Sequence, residues 1–364
     1  MGLRYLKTLS KIVVNPYGKI ILLLVFSKVI AFIYLFNLDY VEPYNRLEFD
    51  EWWLIFHRWD SAFYDRIASL GYVDLRHWAF LPAFPAIIKI ISILTNHSGV
   101  ATALAGLICG ITWIPIYYKI AATYTDNEYA TYPTLIFAFF PTVYLFTSVG
   151  YSEGLWLTNT LLGWYFFIKE RYFMSSIALT FSILTRVPGF VLPAVILLYM
   201  LLYRKNLRGL FYLIPFCAMF LWLLYGYTQT GEVAAPITAQ TKTVWNPHLN
   251  FLEVFIFGII RQGILSWNEY SSSIILLVTV FVYLYIKAFD VDKILGVYSL
   301  SLLALYLITG YFLSLPRFLP FTFPIWIKTG KAIRNEYSLS VYIFLNYIFA
   351  ILLWSQFLND RWCG

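Results

Sequence analysis

The stretch FHRWDSAFYDRIASLGY, Phe56 to Tyr72, holds two arginines, two aspartates and a histidine in a chain with only 12% charged residues. Such a density calls for a chemical reason. Burial at the margin of an apolar surface raises a carboxylate pKa towards that of a useful base, so Asp60 reads either as a base or as an ordinary ion-pair partner. Three more ionisable groups fall at the ends of apolar segments: Glu153 in VGYSEGLW, Arg186 in ILTRVPGF and Arg317 in LSLPRFLPFTFPI. Each arginine alone reads equally as an interface anchor with a snorkelling head. Ionisable groups near membrane depth are nonetheless functional candidates by default, and all of these fall on one side of the scheme derived below.

The elements that must position them are membrane helices. The chain has 364 residues, 60% of them hydrophobic and 21% aromatic, with a mean hydropathy of +0.70. A soluble domain carries about 25% charge. Apolar runs such as Ile20 to Phe36, Gly209 to Tyr227 and Ile294 to Leu313 approach or exceed the ~18 residues needed to span a bilayer. This predicts an all-α polytopic membrane protein of roughly ten to thirteen apolar segments, forming one continuous domain without linker or internal repeat. The net charge of +7 lies largely in short clusters between apolar runs and does not point to nucleic acid. Cys109 and Cys217 fall inside apolar runs and Cys363 near the end of the sequence; they suggest neither a disulfide framework nor a metal site. The basic start (Arg4, Lys7, Lys11, Lys19) mimics a signal peptide, but Asn37-Leu38-Asp39 offers no small-residue cleavage site. A retained first helix is the better reading.

Basic short loops tend to stay cytoplasmic. With the N-terminus, Lys169 to Arg171, Arg204 to Arg208, Lys287 to Lys293 and Lys328 to Arg334 inside, Asp39 to Ala79 is extracytoplasmic. That loop is acidic, with eight Asp and Glu against four Arg. The second large polar segment, 228–270, also falls outside, and Phe251 to Leu265 within it reads as an amphipathic interfacial helix. Ala130 to Gly150 is one apolar run interrupted at Phe140-Pro141. If Pro141 splits it into two half-helices that enter and return, every later basic cluster falls inside.

No Gly or Pro interrupts Asn45 to Leu70, so a continuous helix is expected there. On its wheel Trp52, Phe56, Trp59, Phe63 and Ile67 form one apolar stripe, suited to the outer membrane interface. Arg58, Ser61 and Asp65 face away from it, while Asp60 and Arg66 sit at its margins.

HRWDSAFYDRIASLGY followed by AFLPAFP resembles the first external loop of the PIG-V family, the GPI mannosyltransferase 2 enzymes. FFPTVYLFTSVGYSEGLW, LTRVPGF and PRFLPFTFPIWI resemble later segments of that family in the same order. Val187-Pro188 stands where the family usually has Ser-Asn, and the chain is shorter than the eukaryotic members. The resemblance implies a GT-C glycosyltransferase, here a prokaryotic relative, that takes mannose from dolichyl-phosphate mannose or another polyprenyl-phosphate sugar. The acceptor would be a lipid or glycolipid at the extracytoplasmic membrane face. It implies Asp60 as general base and Arg317 and Arg186, assisted by Arg58 or Arg66, on the donor phosphate, since guanidinium forks suit phosphate. Glu153 would orient the acceptor or brace Arg186. Trp59, Tyr151, His57 and His77 would shape the site, the two histidines as interface hydrogen-bonding residues. No cofactor or metal is required, and a small membrane subunit is a possible partner. A transporter or lipid flippase would share broken helices and intramembrane charge, but its charges would gather at the midplane between repeated halves. A noncatalytic glycosylation subunit would keep the fold and lose the chemistry.

Overall fold

The computed structural model describes residues 15–37, 48–126, 129–242, 269–308, 314–333, 335–361 and 363. The N-terminal basic residues before 15, part of the first loop, Arg334 and the expected amphipathic helix Phe251 to Leu265 lie outside them. No β-strand occurs among the described residues. Among the described residues, four helices are long and apolar enough to cross a bilayer: Pro16–Phe36 (α1), Ser98–Tyr124, Leu207–Thr230 and Glu336–Leu358. Shorter apolar helices accompany them. The protein is an integral, multi-pass, all-α membrane protein. Its first helix shows why: α1 buries Leu24, Ala31 and Leu35 against the bundle, yet turns Phe26, Ile33 and Leu22 outwards. A helix that is apolar on every side needs a lipid surround.

The first loop is not one continuous helix. A 3-10 helix, Phe49–Phe56, is followed by a break at Arg58-Trp59 and then by α2, Asp60–Leu70. Trp59 sits at φ 54°, a left-handed conformation that is a genuine outlier for so bulky a residue. Surrounding bonds hold it there. Arg58 donates to the carbonyls of Leu54 and His57 at the end of the 3-10 turn. Ser61 Oγ donates to the Arg58 carbonyl at 2.5 Å, and Gly150 N–H donates to that of Phe56 at 2.9 Å. The wheel drawn through this break therefore misplaces Ser61, which is fully buried rather than facing away. The break makes Asp60 the first residue of α2, where the exposed amide dipoles favour a carboxylate.

A second 3-10 turn, Leu75–Ala79, leads to α3 (Ala83–Thr95) and α4 (Ser98–Tyr124). The apolar run after Tyr129 is split where the sequence suggests, into α5 (Thr131–Ala138) and α6 (Pro141–Phe146). Pro141 fits the first turn of α6, where its missing N–H costs nothing. Next come α7 (Glu153–Ile168), α8 (Tyr172–Ile183) and α9 (Val191–Leu198), the last extended by a π turn, Tyr199–Tyr203. Helices α10 (Ile214–Thr230), α11 (Ala235–Lys242), α12 (Glu269–Lys287) and α13 (Lys293–Ile308) precede the short α14 (Leu315–Phe318). The chain closes with α15 (Pro324–Ala332) and α16 (Glu336–Leu358).

Packing around α4 fixes the middle of the molecule. A Cβ on Gly106 would overlap the carbonyl of Val149, and one on Gly110 that of Thr147. One on Gly154 would come within 2.8 Å of the Cys109 backbone. Small residues four apart let backbones approach in this way. The segment from the end of α6 to the start of α7 is thereby pressed backbone-to-backbone against α4, and Glu153 opens α7 beside that contact.

Candidate active site

Asp60, Glu153, Arg186 and Arg317, scattered over more than 250 residues of sequence, meet in one cluster. Arg317 lies at its centre, on α14, and is 2% exposed. Its Nε donates to Glu153 Oε1 at 2.6 Å, and its Nη2 pairs with both Glu153 and Asp60 Oδ2, the latter at 3.1 Å. Arg186 Nη1 reaches the same Glu153 Oε1 at 2.9 Å. Its Nη1 also donates to Ser152 Oγ, which shares a hydrogen bond with Tyr64 Oη at 2.7 Å. Two carboxylates and two guanidiniums thus sit together with no formal net charge. The mutual attraction of this set, together with its hydrogen bonds, offsets a desolvation cost that no member could bear alone.

Aromatic rings frame the central guanidinium. Arg317 lies over the rings of Phe146 (4.5 Å), Tyr151 (4.6 Å) and Phe318 (5.4 Å), geometry within the range of cation–π attraction. Tyr151 also accepts the N–H of Asp60 at 3.2 Å through its hydroxyl, satisfying an orphan donor at the start of α2. Phe146 and Tyr151 flank the segment held against α4. The site is therefore positioned by the end of α6, the start of α7, the loop after α8, α14 and the strained entry to α2.

A cavity of about 210 Å³ opens onto this cluster, lined by Asp60, Arg186 and Arg317 and by residues of the second 3-10 turn, the loop after α8, α11, α13 and α14. Arg317 commits Nε and Nη2 to carboxylates and leaves Nη1 uncommitted among the described residues. Arg186, at 16% side-chain exposure, pairs with one carboxylate and leaves Nε and Nη2 uncommitted among the described residues. Asp60, at 19%, keeps Oδ1 uncommitted. Glu153 is nearly sealed, and its Oε2 has no hydrogen-bond partner among the described residues.

Other candidates lie elsewhere. Arg58 is not part of the cluster: it bonds the carbonyls of Leu54, His57 and Leu358 and pairs with Asp360 at 3.7 Å, tying the first loop to the end of α16. Arg66 is exposed on α2 and does not line the cavity. His57 pairs with Asp65 at 3.1 Å and packs on Trp53. Burial pushes the Asp65 carboxyl up, but hydrogen bonds from His57 and Ser98 outweigh it and hold the group below its usual range. His77 is buried with Nδ1 against the Gly71 carbonyl; burial lowers its pKa. Trp59 matters through its backbone, while its side chain is 40% exposed.

The sequence reading passed over Lys28. This lysine is buried inside α1, donating to the Thr147 carbonyl at 2.7 Å and lying over the Tyr144 ring. It caps the carbonyl end of α6, one residue from the Phe146 ring that carries Arg317. A lone cation within an apolar run was the available signal.

The architecture is the GT-C fold. It matches the crystal structure of ArnT from Cupriavidus metallidurans bound to undecaprenyl phosphate with a TM-score of 0.55 and 14% identity, covering 88% of this chain and 61% of that one. The apo ArnT structure matches with a TM-score of 0.50 and 12% identity, covering 90% and 62%. In sequence the chain is similar to GPI mannosyltransferase 2 of Schizosaccharomyces pombe, 28% identical over 138 residues, which is 36% of this chain and 29% of that protein. The chain therefore matches under a third of that curated relative and under two thirds of the ArnT chain. No family model matches it.

Proposed function

We propose that the protein is a glycosyltransferase that moves a mannosyl residue from a polyprenyl-phosphate donor, such as dolichyl-phosphate mannose, to a hydroxyl of a lipid or glycolipid acceptor. The observation that carries this reading is the single cavity lined by Asp60, Arg186 and Arg317. Similarity to GPI mannosyltransferase 2 and to a fold seen in ArnT with undecaprenyl phosphate supports the substrate class. The acceptor oxygen attacks the anomeric carbon from the face opposite the phosphate, and the bond from that carbon to the phosphate oxygen breaks. The acceptor proton passes to Asp60, and the lipid monophosphate leaves with the bond's electron pair. Inversion of a β-linked donor yields an α-mannoside.

The roles follow from what each group has left to offer. Asp60 Oδ1 takes the proton, a contribution worth about 10²–10⁴-fold. Arg186 meets the departing phosphate with its uncommitted nitrogens, stabilising charge where it develops. Arg317 holds Asp60 and Glu153 in register through Nε and Nη2 and offers Nη1 to the same phosphate, while Glu153 braces the two arginines. Arginine supplies the positive charge that the phosphate needs, so the scheme calls for no metal or cofactor.

We further place the cavity on the extracytoplasmic side, with the N-terminus cytoplasmic. Glu153 begins α7, and the basic residues Lys169 and Arg171 follow its far end. The sixteen residues of that helix rise about 24 Å, so the site and a basic cluster lie at opposite ends of one buried helix. The test is to give purified protein labelled dolichyl-phosphate mannose with candidate lipid acceptors and follow mannose transfer. Absence of transfer from this donor and from other polyprenyl-phosphate sugars would overturn the reading.

A further inference from the structure

We infer that Gln240, on α11, reads the hydroxyls of the transferred sugar. The inference rests on the transferase reading above and adds a residue that neither motif nor charge pattern singles out. The cavity wall divides by chemistry. Asp60, Arg186 and Arg317 supply charge, suited to a proton and a phosphate. A sugar ring instead presents neutral hydroxyls, which need groups that both donate and accept.

Two of the neutral polar groups on the wall are already engaged. Tyr64 Oη is bonded to Ser152, and the Thr185 hydroxyl donates to the Phe181 carbonyl. Gln240 lines the same cavity, is half-buried, and its carboxamide makes no hydrogen bond among the described residues. On the wall of a binding space, its one carbonyl and two N–H donors have no partner among the described residues. A carboxamide spans two neighbouring hydroxyls from two separate atoms, accepting at its oxygen and donating from its nitrogen, whereas the Ser314 hydroxyl on this wall has one O–H to donate and does all its bonding from a single atom.

The placement of Gln240 is built rather than incidental. Ala235 and Ala239, one turn apart on α11, are fully buried in a cluster with Trp78. Trp78 is wedged by Tyr72 (4.8 Å) and Trp222 (5.2 Å). Gly226 on α10 leaves room for the assembly: a Cβ there would meet the Trp78 ring and the Ala235 methyl at 3.1–3.2 Å. The 3-10 turn that carries Trp78 runs directly into Phe80 and Leu81, which also line the cavity. A short helix with a small-residue face is thus clasped to the cavity wall, and the residue after its last buried alanine is Gln240. Arg186 is the proposed phosphate ligand on this wall, so the ring attached to that phosphate occupies the space between them.

Equilibrium binding separates this role from the others, because it needs no acceptor. Dolichyl-phosphate mannose and sugar-free dolichyl phosphate are titrated against the purified wild type and the Gln240→Ala and Gln240→Glu variants, with melting temperature as the folding control. Wild type binds the mannosylated lipid tighter than dolichyl phosphate. Gln240→Ala loses about 10-fold for the mannosylated lipid, the scale of one or two neutral hydrogen bonds, and binds dolichyl phosphate as before. Gln240→Glu, which keeps acceptors and loses donors, falls between. Equal loss for both lipids, or no loss for either, overturns the assignment, as does a wild type that binds the two lipids equally well. A wild type that binds neither lipid overturns the transferase reading itself, and this assignment with it.

Discussion

Asp60→Asn separates a base from a brace, and the structure sets both magnitudes. Asp60 Oδ2 accepts from Arg317 Nη2 at 3.1 Å. An asparagine keeps an acceptor oxygen at that position, so the contact survives as a hydrogen bond to a neutral group. Arg317 stays ionised, so the contact remains charge-assisted but moves towards the lower end of the ~1.5–3 kcal/mol range for bonds to charged groups, a loss of roughly 1 kcal/mol. Arg317 meanwhile keeps Glu153 on both Nε and Nη2, and is not stranded. Stability should therefore fall by about 1 kcal/mol. Transfer should fall by about 10²–10⁴-fold, equivalent to roughly 2.7–5.4 kcal/mol of transition-state stabilisation. The assay is turnover per folded molecule in detergent, alongside melting temperature and dolichyl phosphate binding. A variant that folds, binds and scarcely transfers is expected. Near-normal turnover, or loss of fold ahead of loss of chemistry, would refute a proton-accepting role.

Arg317→Ala should behave in the opposite manner: Asp60 loses its guanidinium partner, Glu153 is left with Arg186 alone, and stability drops by about 3–5 kcal/mol, read as loss of folded yield; a stable alanine variant would show that the cluster is not mutually dependent. Gly110→Ala should not fold to the native state, because the new methyl overlaps the Thr147 carbonyl and no flexible side chain can yield; a wild-type melting temperature would mean that α4 and the 147–154 segment stand further apart. His77 gives the chain a pH dependence. Burial lowers its folded-state pKa, so the unfolded chain takes up its proton first. The stability this group contributes is present above pH ~6.5 and lost as pH falls through the folded value. A melting curve should show that loss in wild type and a smaller one in His77→Gln; identical profiles would assign the acid sensitivity to other groups.

What the sequence disclosed, and what it hid, follows from the range of the forces involved. Asp60, Glu153, Arg186 and Arg317 stand out because charge is costly in an apolar chain, and the same cost draws them together. Pro141 announces the α5–α6 break because proline cannot continue a helix. The break at Trp59 has no such local mark. Its cause is tertiary: Arg58 bonded to Leu358, 300 residues away, and Gly150 bonded to Phe56. Propensity favours a continuous helix there, and packing overrides it. The same long-range contacts remove Arg58 from the candidate phosphate ligands and bury Ser61. Gln240 escaped notice because an uncharged residue in a polar loop looks like any other. Lys28 carried a local signal, a lone cation in an apolar run, but its partner Thr147 lies 119 residues away.

The contact between α4 and the segment before α7 bears on how such a site can diversify. On that side of the cluster, main chain rests on main chain at Gly106, Gly110 and Gly154, and no exchange of side chains can alter its dimensions. The groups proposed to handle proton and phosphate are anchored there. The α11 side, by contrast, depends on side chains: Trp78, two alanines, and a glutamine at the edge. Substitution can move, enlarge or recharge that boundary without disturbing the backbone frame. On the function proposed above, a change of sugar would come from revising α11 and its clasp, with the groups assigned to proton and phosphate left in place.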